Sequence, residues 1–139
     1  MTMASDEIPR IRRAPLPGTA TLIVRGGVLS STPLRQDALR FARRFSTWKK
    51  FGVSGFYAAD AIEIDALTET KLHQFNTQVV FQRRQLENAG IQVVGTFRTP
   101  HVTLAHADLE HLLDGLMSCQ QVECENPYYE SGGQVGRNR

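Results

Sequence analysis

A chain of 139 residues with 41% hydrophobic and 22% charged residues has the size and composition of one globular domain. Two cysteines are too few for a disulfide scaffold, and no window approaches the roughly 18 uninterrupted apolar residues of a membrane span. The N-terminus, MTMASDEIPRIRRAP, lacks the apolar region of a secretory signal, so the expectation is a cytoplasmic protein with no membrane partner and with Cys119 and Cys124 reduced.

In chain order, residues 1–18 carry Pro9, Pro15 and Pro17 with Arg10, Arg12 and Arg13, and predict a disordered basic arm. The apolar run Ala20–Arg25 stops at Gly26-Gly27 and predicts a first strand. Thr32 as N-cap and Pro33 at the first helical position start a helix. In it Leu34, Ala38, Phe41, Ala42, Phe45 and Trp48 recur at helical spacing. Arg40, Arg43, Arg44 and Lys50 fall on the opposite side with no carboxylate at i+4 to pair with them.

Gly52 closes that helix, and Val53–Ala58 reads as a second strand. Asp60 or Asp65 caps a helix carrying Leu67 and Leu72, and Val79, Val80 and Phe81 make a third strand. Arg83–Ala89 is a short helix ended by Gly90. From Ile91 to His106 apolar and polar residues alternate around a Thr99-Pro100 break, as in a hairpin. If its polar sets pair, Arg98, His101 and Thr103 share a face. Asp108 caps a last helix with Leu109, Leu112, Leu113, Leu116 and Met117 on one side. Residues 119–139 predict a mostly disordered tail in which only Asn126-Pro127-Tyr128-Tyr129 docks. The order implies a single α+β domain over residues 19–118: a mixed, mostly antiparallel sheet of about five strands with helices on one face.

The net charge of +2 is unevenly placed, with the first half basic and acidic residues gathered in 60–69 and 108–130. Helix arginines on an outer face are commonly just solvated. Their alternative role is a nucleic-acid or acidic-protein surface.

Three groups of residues carry candidate chemistry. Arg25, Gly26, Gly27, Ser30, Ser31 and Thr32 take a strand end through a turn into a helix start, where backbone N–H groups, hydroxyls and a guanidinium suit a phosphate. The same pattern is also an ordinary helix cap. This strand-end Arg-Gly, followed by a helix and the Gly52-Val53-Ser54 strand, resembles the opening of ADP-ribosyltransferase-type domains over residues 20–58. That resemblance implies NAD as substrate, Arg25 on its phosphate or ribose, and Ser54 and Tyr57 at the nicotinamide. The family's late Gln/Glu-x-Glu is matched in spacing by Gln85-Leu86-Glu87, which however falls in a predicted helix rather than on a strand. More broadly, Arg25-Gly26-Gly27, Gly52-Val53-Ser54 and Pro100-His101-Val102-Thr103 resemble a group of small uncharacterised actinobacterial proteins, with no activity implied.

In the hairpin, His101-Val102-Thr103-Leu104 resembles the repeated element of two-histidine phosphoesterases, but the second copy would be His106-Ala107-Asp108-Leu109, which lacks the hydroxyl. A one-histidine, metal-independent ribonuclease is the further expectation. In it His101 activates a ribose 2′-hydroxyl, Arg98 stabilises the phosphate and Arg83 or Arg84 holds the strand. Thr103 would serve as a hydrogen-bonding partner. The same residues also read as the wet side of a one-sided sheet.

His106, His111, Cys119 and Cys124 are zinc-ligating types. On a shared helix the two histidines would point about 140° apart, so no metal is expected. Together these residues imply a small toxin-like enzyme acting on RNA or a nucleotide, with His101, Arg98 and Arg25 central. A non-catalytic module that binds nucleic acid or a protein partner is the alternative, as is the ADP-ribosyltransferase.

Overall fold

Leu22–Gly26 forms β1, and its Ile23 and Val24 are both fully buried. Successive side chains of a strand point to opposite faces, so β1 must be covered on both. The computed structural model describes residues 16–129. The arm expected over residues 1–18 therefore lies outside it except for the last three, as does the end of the tail.

The remaining elements are α1 (Ser31–Arg44), a 3₁₀ turn (Ser46–Trp48), β2 (Phe51–Ala58), α2 (Ala61–Thr70), β3 (Thr77–Gln82) and α3 (Arg83–Asn88). They are followed by β4 (Gln92–Gly95), β5 (His101–His106), α4 (Leu109–Ser118) and β6 (Gln121–Glu125). The six strands run β4-β5-β2-β1-β3-β6, and every ladder is antiparallel. The α+β expectation is met, with one strand more than predicted and no parallel pair.

Helices lie on both faces, which corrects the one-face expectation. On one, Ile23, Val53, Phe81 and Leu104 pack with Leu34 and Ala38 of α1, Leu86 of α3 and Leu112 and Leu116 of α4. Fully burying such a side chain contributes about 1.5–3 kcal/mol. On the other, Val24 and Ala58 pack with Leu67 of α2 and Leu72 just beyond it. Helix α2 starts with reciprocal caps: the Glu63 N–H donates to Asp60 Oδ1 at 3.0 Å, and the Ala59 N–H donates to Glu63 Oε1 at 2.8 Å. Buried Thr68 and Gln78 then tie its last turn to β3, 2.8 Å apart.

Both boundaries of α1 differ from expectation. Helix α1 is capped at Ser30, not Thr32, and Pro33 sits in the first turn, where its missing N–H has no partner to lose. It ends at Arg44 instead of reaching Gly52, because the chain turns through the 3₁₀ segment and left-handed Lys49 (φ 57°) before β2.

The tail prediction also fails where it can be checked. Gln121–Glu125 pairs with β3 as an edge strand, and Asn126 behind it is 7% exposed. Its polar Gln-Val-Glu-Cys-Glu composition fits an edge strand, where only one flank is paired and both faces are wetter.

Candidate functional site

Strands β1 and β2 are paired at Leu22–Ala58, Ile23–Tyr57 and Val24–Phe56, and there the ladder between them stops. Each then follows a different neighbour: β1 stays with β3 out to Gly26–Gln78, and β2 stays with β5 out to Phe51–His106. The sheet is thus split at this end. The Tyr57 N–H donates to Pro100 O on the β5 side. By antiparallel alternation, the backbone groups of Ser54 and Gly52 face the opening.

Arg25 occupies the start of the split. Its Nη1 donates to Ser54 O at 2.8 Å, and its Nη2 to Asp37 Oδ2 of α1 at 2.8 Å. Asp37 also accepts from Arg40 Nη1 at 3.0 Å. Arg40 thus finds a carboxylate at i+3, while the i+4 positions hold none, as the sequence implies.

The opening is a cleft of about 440 Å³. One side is β2 from Gly52 to Phe56; the other is Gly26 with Lys71, Leu72, Gln74 and Phe75 of the α2–β3 loop. The loop is held by Asn126, whose Nδ2 donates to Leu72 O at 2.9 Å and to Phe75 O at 2.8 Å. Gly26 is required here because a Cβ would stand 2.2 Å from Phe75 Cδ2. Helix α1 supplies Phe41, Arg44 and Phe45, and the β4–β5 loop supplies Phe97.

Phe97 is 36% exposed and holds φ at 55°, a left-handed conformation rare for an aromatic residue. It is braced by Phe45 at 5.8 Å and His101 at 5.1 Å between ring centroids. Arg44 stacks its guanidinium 5.2 Å above the Phe45 ring. The lining thus carries Arg25, Arg40, Arg44 and Lys71 against a single carboxylate, Asp37, and five phenylalanines.

His101 stands behind this wall, not in it. Its ring meets Phe56 edge-on at 5.4 Å as well as Phe97. Thr96 Oγ1 lies 2.8 Å from His101 Nδ1 and 2.9 Å from Thr103 Oγ1, making a hydroxyl–imidazole chain. Burial pushes the imidazole below its ordinary value, against an opposing hydrogen bond that the ring donates to the Thr96 backbone.

The structure brings Arg25, Gly26, Arg40, Arg44 and Ser54 to one cleft. Gly27, Ser30, Arg43, Arg98, His101 and Thr103 are not among its lining residues. His101 and Thr103 do share a sheet face, opposite Phe56 and Ser54 of β2. Arg98 instead lies exposed in the loop.

Arg83 and Arg84 sit beyond Gln82, which pairs with Leu22 at the other end of β1. There the Arg83 guanidinium is engaged by Glu87 Oε2 at 3.0 Å and by Pro17 O and Ala20 O at 3.4 Å. Gln85-Leu86-Glu87 lies in α3, and Tyr57 packs against the core beneath α1, α3 and α4; neither lines the cleft.

His106 lies on β5 and not on a helix with His111; their rings stack 4.2 Å apart. The His106 Nδ1 accepts from the Asp108 N–H at 2.8 Å. Among the described residues no three His, Cys, Asp or Glu side chains gather as a metal site.

Sequence reasoning missed Phe97, Phe75, Asp37 and Lys71. Only Phe97 carried a local signal, an aromatic residue in the turn before Pro100; Asp37 needed the contact with Arg25, twelve residues away. No helix among the described residues is long and apolar enough to cross a membrane. No family model, curated protein or solved structure matches the chain.

Proposed function

We propose that the cleft binds one nucleotide unit, with the base against Phe97 and its neighbouring rings and the phosphate toward Arg25, Arg40, Arg44 and Lys71. The observation that carries this reading is the meeting of aromatic rings and cations around an unpaired strand edge in one cleft of about 440 Å³. Ligand sites for small molecules commonly span about 300–1,000 Å³. A base is planar and sequence-tolerant in stacking, and stacking on an aromatic side chain is worth about 1–3 kcal/mol. The Gly52 and Ser54 backbone supplies donors and acceptors for the edge of the base, and guanidiniums match phosphate oxygens in pairs.

The test is calorimetric titration with AMP, GMP, CMP and UMP, followed in parallel by fluorescence of Trp48. Trp48 is the chain's one tryptophan and lies 5.7 Å from Phe41 of the cleft wall. Phe97→Ala is expected to weaken binding by about 5- to 150-fold, the equivalent of a lost stack. Absence of binding by any of the four nucleotides would overturn the reading.

A second reading, RNA cleavage with His101 as base, is favoured by the Thr103–Thr96–His101 chain and by the lowered affinity of His101 for a proton, which keeps it neutral and able to accept one. It requires Phe97 to swing aside. Its test is cleavage of a labelled oligoribonucleotide by the wild type and by His101→Ala; equal rates would end it.

A further inference from the structure

We infer that the ligand of the cleft is a nucleotide within a single-stranded nucleic acid, not a free mononucleotide; this rests on the nucleotide reading above. The observation is a surplus of cations without carboxylate partners on the segments that line the cleft and immediately beside them in the chain. Arg44 and Lys71 line it, and Arg43, Lys49 and Arg98 are exposed close to lining residues in the chain, Arg43 before Arg44 and Arg98 after Phe97. Among the described residues none of these five has a carboxylate within ion-pair distance, whereas Arg25, Arg35, Arg40 and Arg83 all do.

Their number exceeds what one phosphate can use. A guanidinium pair saturates a phosphate, and Arg25 and Arg40 already provide one at the inner end, shared with Asp37. These five lie on four separate segments: the end of α1, the turn at Lys49, the α2–β3 loop and the β4–β5 loop. Exposed and unpaired, they suit phosphates of nucleotides flanking the bound one, each neutralised with release of a counterion. The requirement for a single strand comes from Phe97. A base can lie on this ring only when it is unstacked from its neighbours and unpaired, as in loops and free strands.

The test compares AMP with a decameric oligoadenylate, its DNA counterpart and a duplex RNA of the same length, each bound to the full chain. The single strand is expected to bind about tenfold or more tightly than AMP, with a log–log salt slope of about −2 to −3, corresponding to three or four phosphates. The triple variant Arg43→Ala/Lys49→Ala/Arg98→Ala is expected to weaken oligonucleotide binding about tenfold and flatten that slope, while AMP affinity stays within about twofold. Phe97→Ala should weaken both ligands.

If AMP binds but the single strands bind no more tightly, or the triple variant binds them like wild type, the inference is overturned and the nucleotide reading stands. Equal affinity for the duplex also overturns it, because a paired base cannot reach Phe97. If AMP does not bind and oligonucleotide binding ignores Phe97→Ala, the nucleotide reading fails and the inference with it.

Discussion

The Arg25 guanidinium donates to the Ser54 carbonyl oxygen at 2.8 Å, across the point where β1 and β2 part company. A side chain thus does what a ladder hydrogen bond would have done, and it leaves the strands apart. Arg25→Ala removes the donor from Ser54 O and half of Asp37's pairing. The expected loss is about 1–3 kcal/mol in urea denaturation, together with faster amide exchange over residues 52–55. Arg25→Lys should recover only part of it, because an ammonium cannot span both partners in the fixed fork of a guanidinium. Unchanged stability and exchange in Arg25→Ala would show that the split is held open by packing alone.

Gly26 supports the opposite wall. Its alanine variant places a methyl against the Phe75 ring at 2.2 Å, and the ring must move. Overpacking of this kind costs about 1–3 kcal/mol. Because Phe75 lines the cleft, Gly26→Ala should also weaken nucleotide binding; the double variant Gly26→Ala/Phe75→Leu should regain stability more than affinity. Denaturation and calorimetry on the same samples separate the two.

Asn126 is the remote support. Its one side-chain amide satisfies two loop carbonyls, Leu72 O and Phe75 O, in a site only 7% exposed. Asn126→Ala leaves both without that donor; Leu72 O keeps the Phe75 N–H at 3.0 Å, and the loss falls on Phe75 O, where an unsatisfied acceptor costs about 1–3 kcal/mol. The expected outcome is a destabilised loop and weaker binding without any change in cleft residues. Asn126→Asp, which keeps the size but loses the donors, should do no better.

Acid should destabilise the protein partly through His101. Burial holds its folded-state value below the ordinary 6.5, so on acidification the unfolded chain takes up the proton first. Stability therefore falls as pH drops through 6.5, continues to fall until the folded-state value is passed, and gains nothing further above 6.5. Denaturant midpoints of the wild type and His101→Phe, compared from about pH 7.5 down to about pH 5.5, should show the steeper decline in the wild type. Parallel curves would mean that the imidazole titrates alike in both states.

Much of the secondary structure was legible residue by residue. The apolar spacing of Leu34, Ala38 and Phe45 marked α1, a cap at Asp60 or Asp65 marked α2, with the structure selecting Asp60, and the leucines at 112, 113 and 116 marked the buried side of α4. The start of α1 was misplaced because Ser30 and Thr32 are equally good caps in a sequence, and the chain's path out of Gly27 selects between them. β6 was missed because its polar composition matches that of a solvated tail; pairing with β3 makes it a strand.

The site divides along the same line. Arg25 and Gly26 could be picked out at a strand end and Ser54 within a strand, each with a capable side chain or a permissive backbone. By itself the sequence determined the α+β class, most helix and strand positions and the concentration of cations in α1, because caps, turns and hydrophobic periods act over a few neighbouring residues. Only the tertiary structure decided that β5 lies beside β2 and β3 beside β1, which opens the sheet between β1 and β2. That strand order brings Phe97 and Phe75 into one cleft with Arg25 and puts His101 behind the wall. Such pairings depend on the relative free energy of whole-sheet arrangements, summed over contacts between distant segments, and no short stretch of sequence contains that sum.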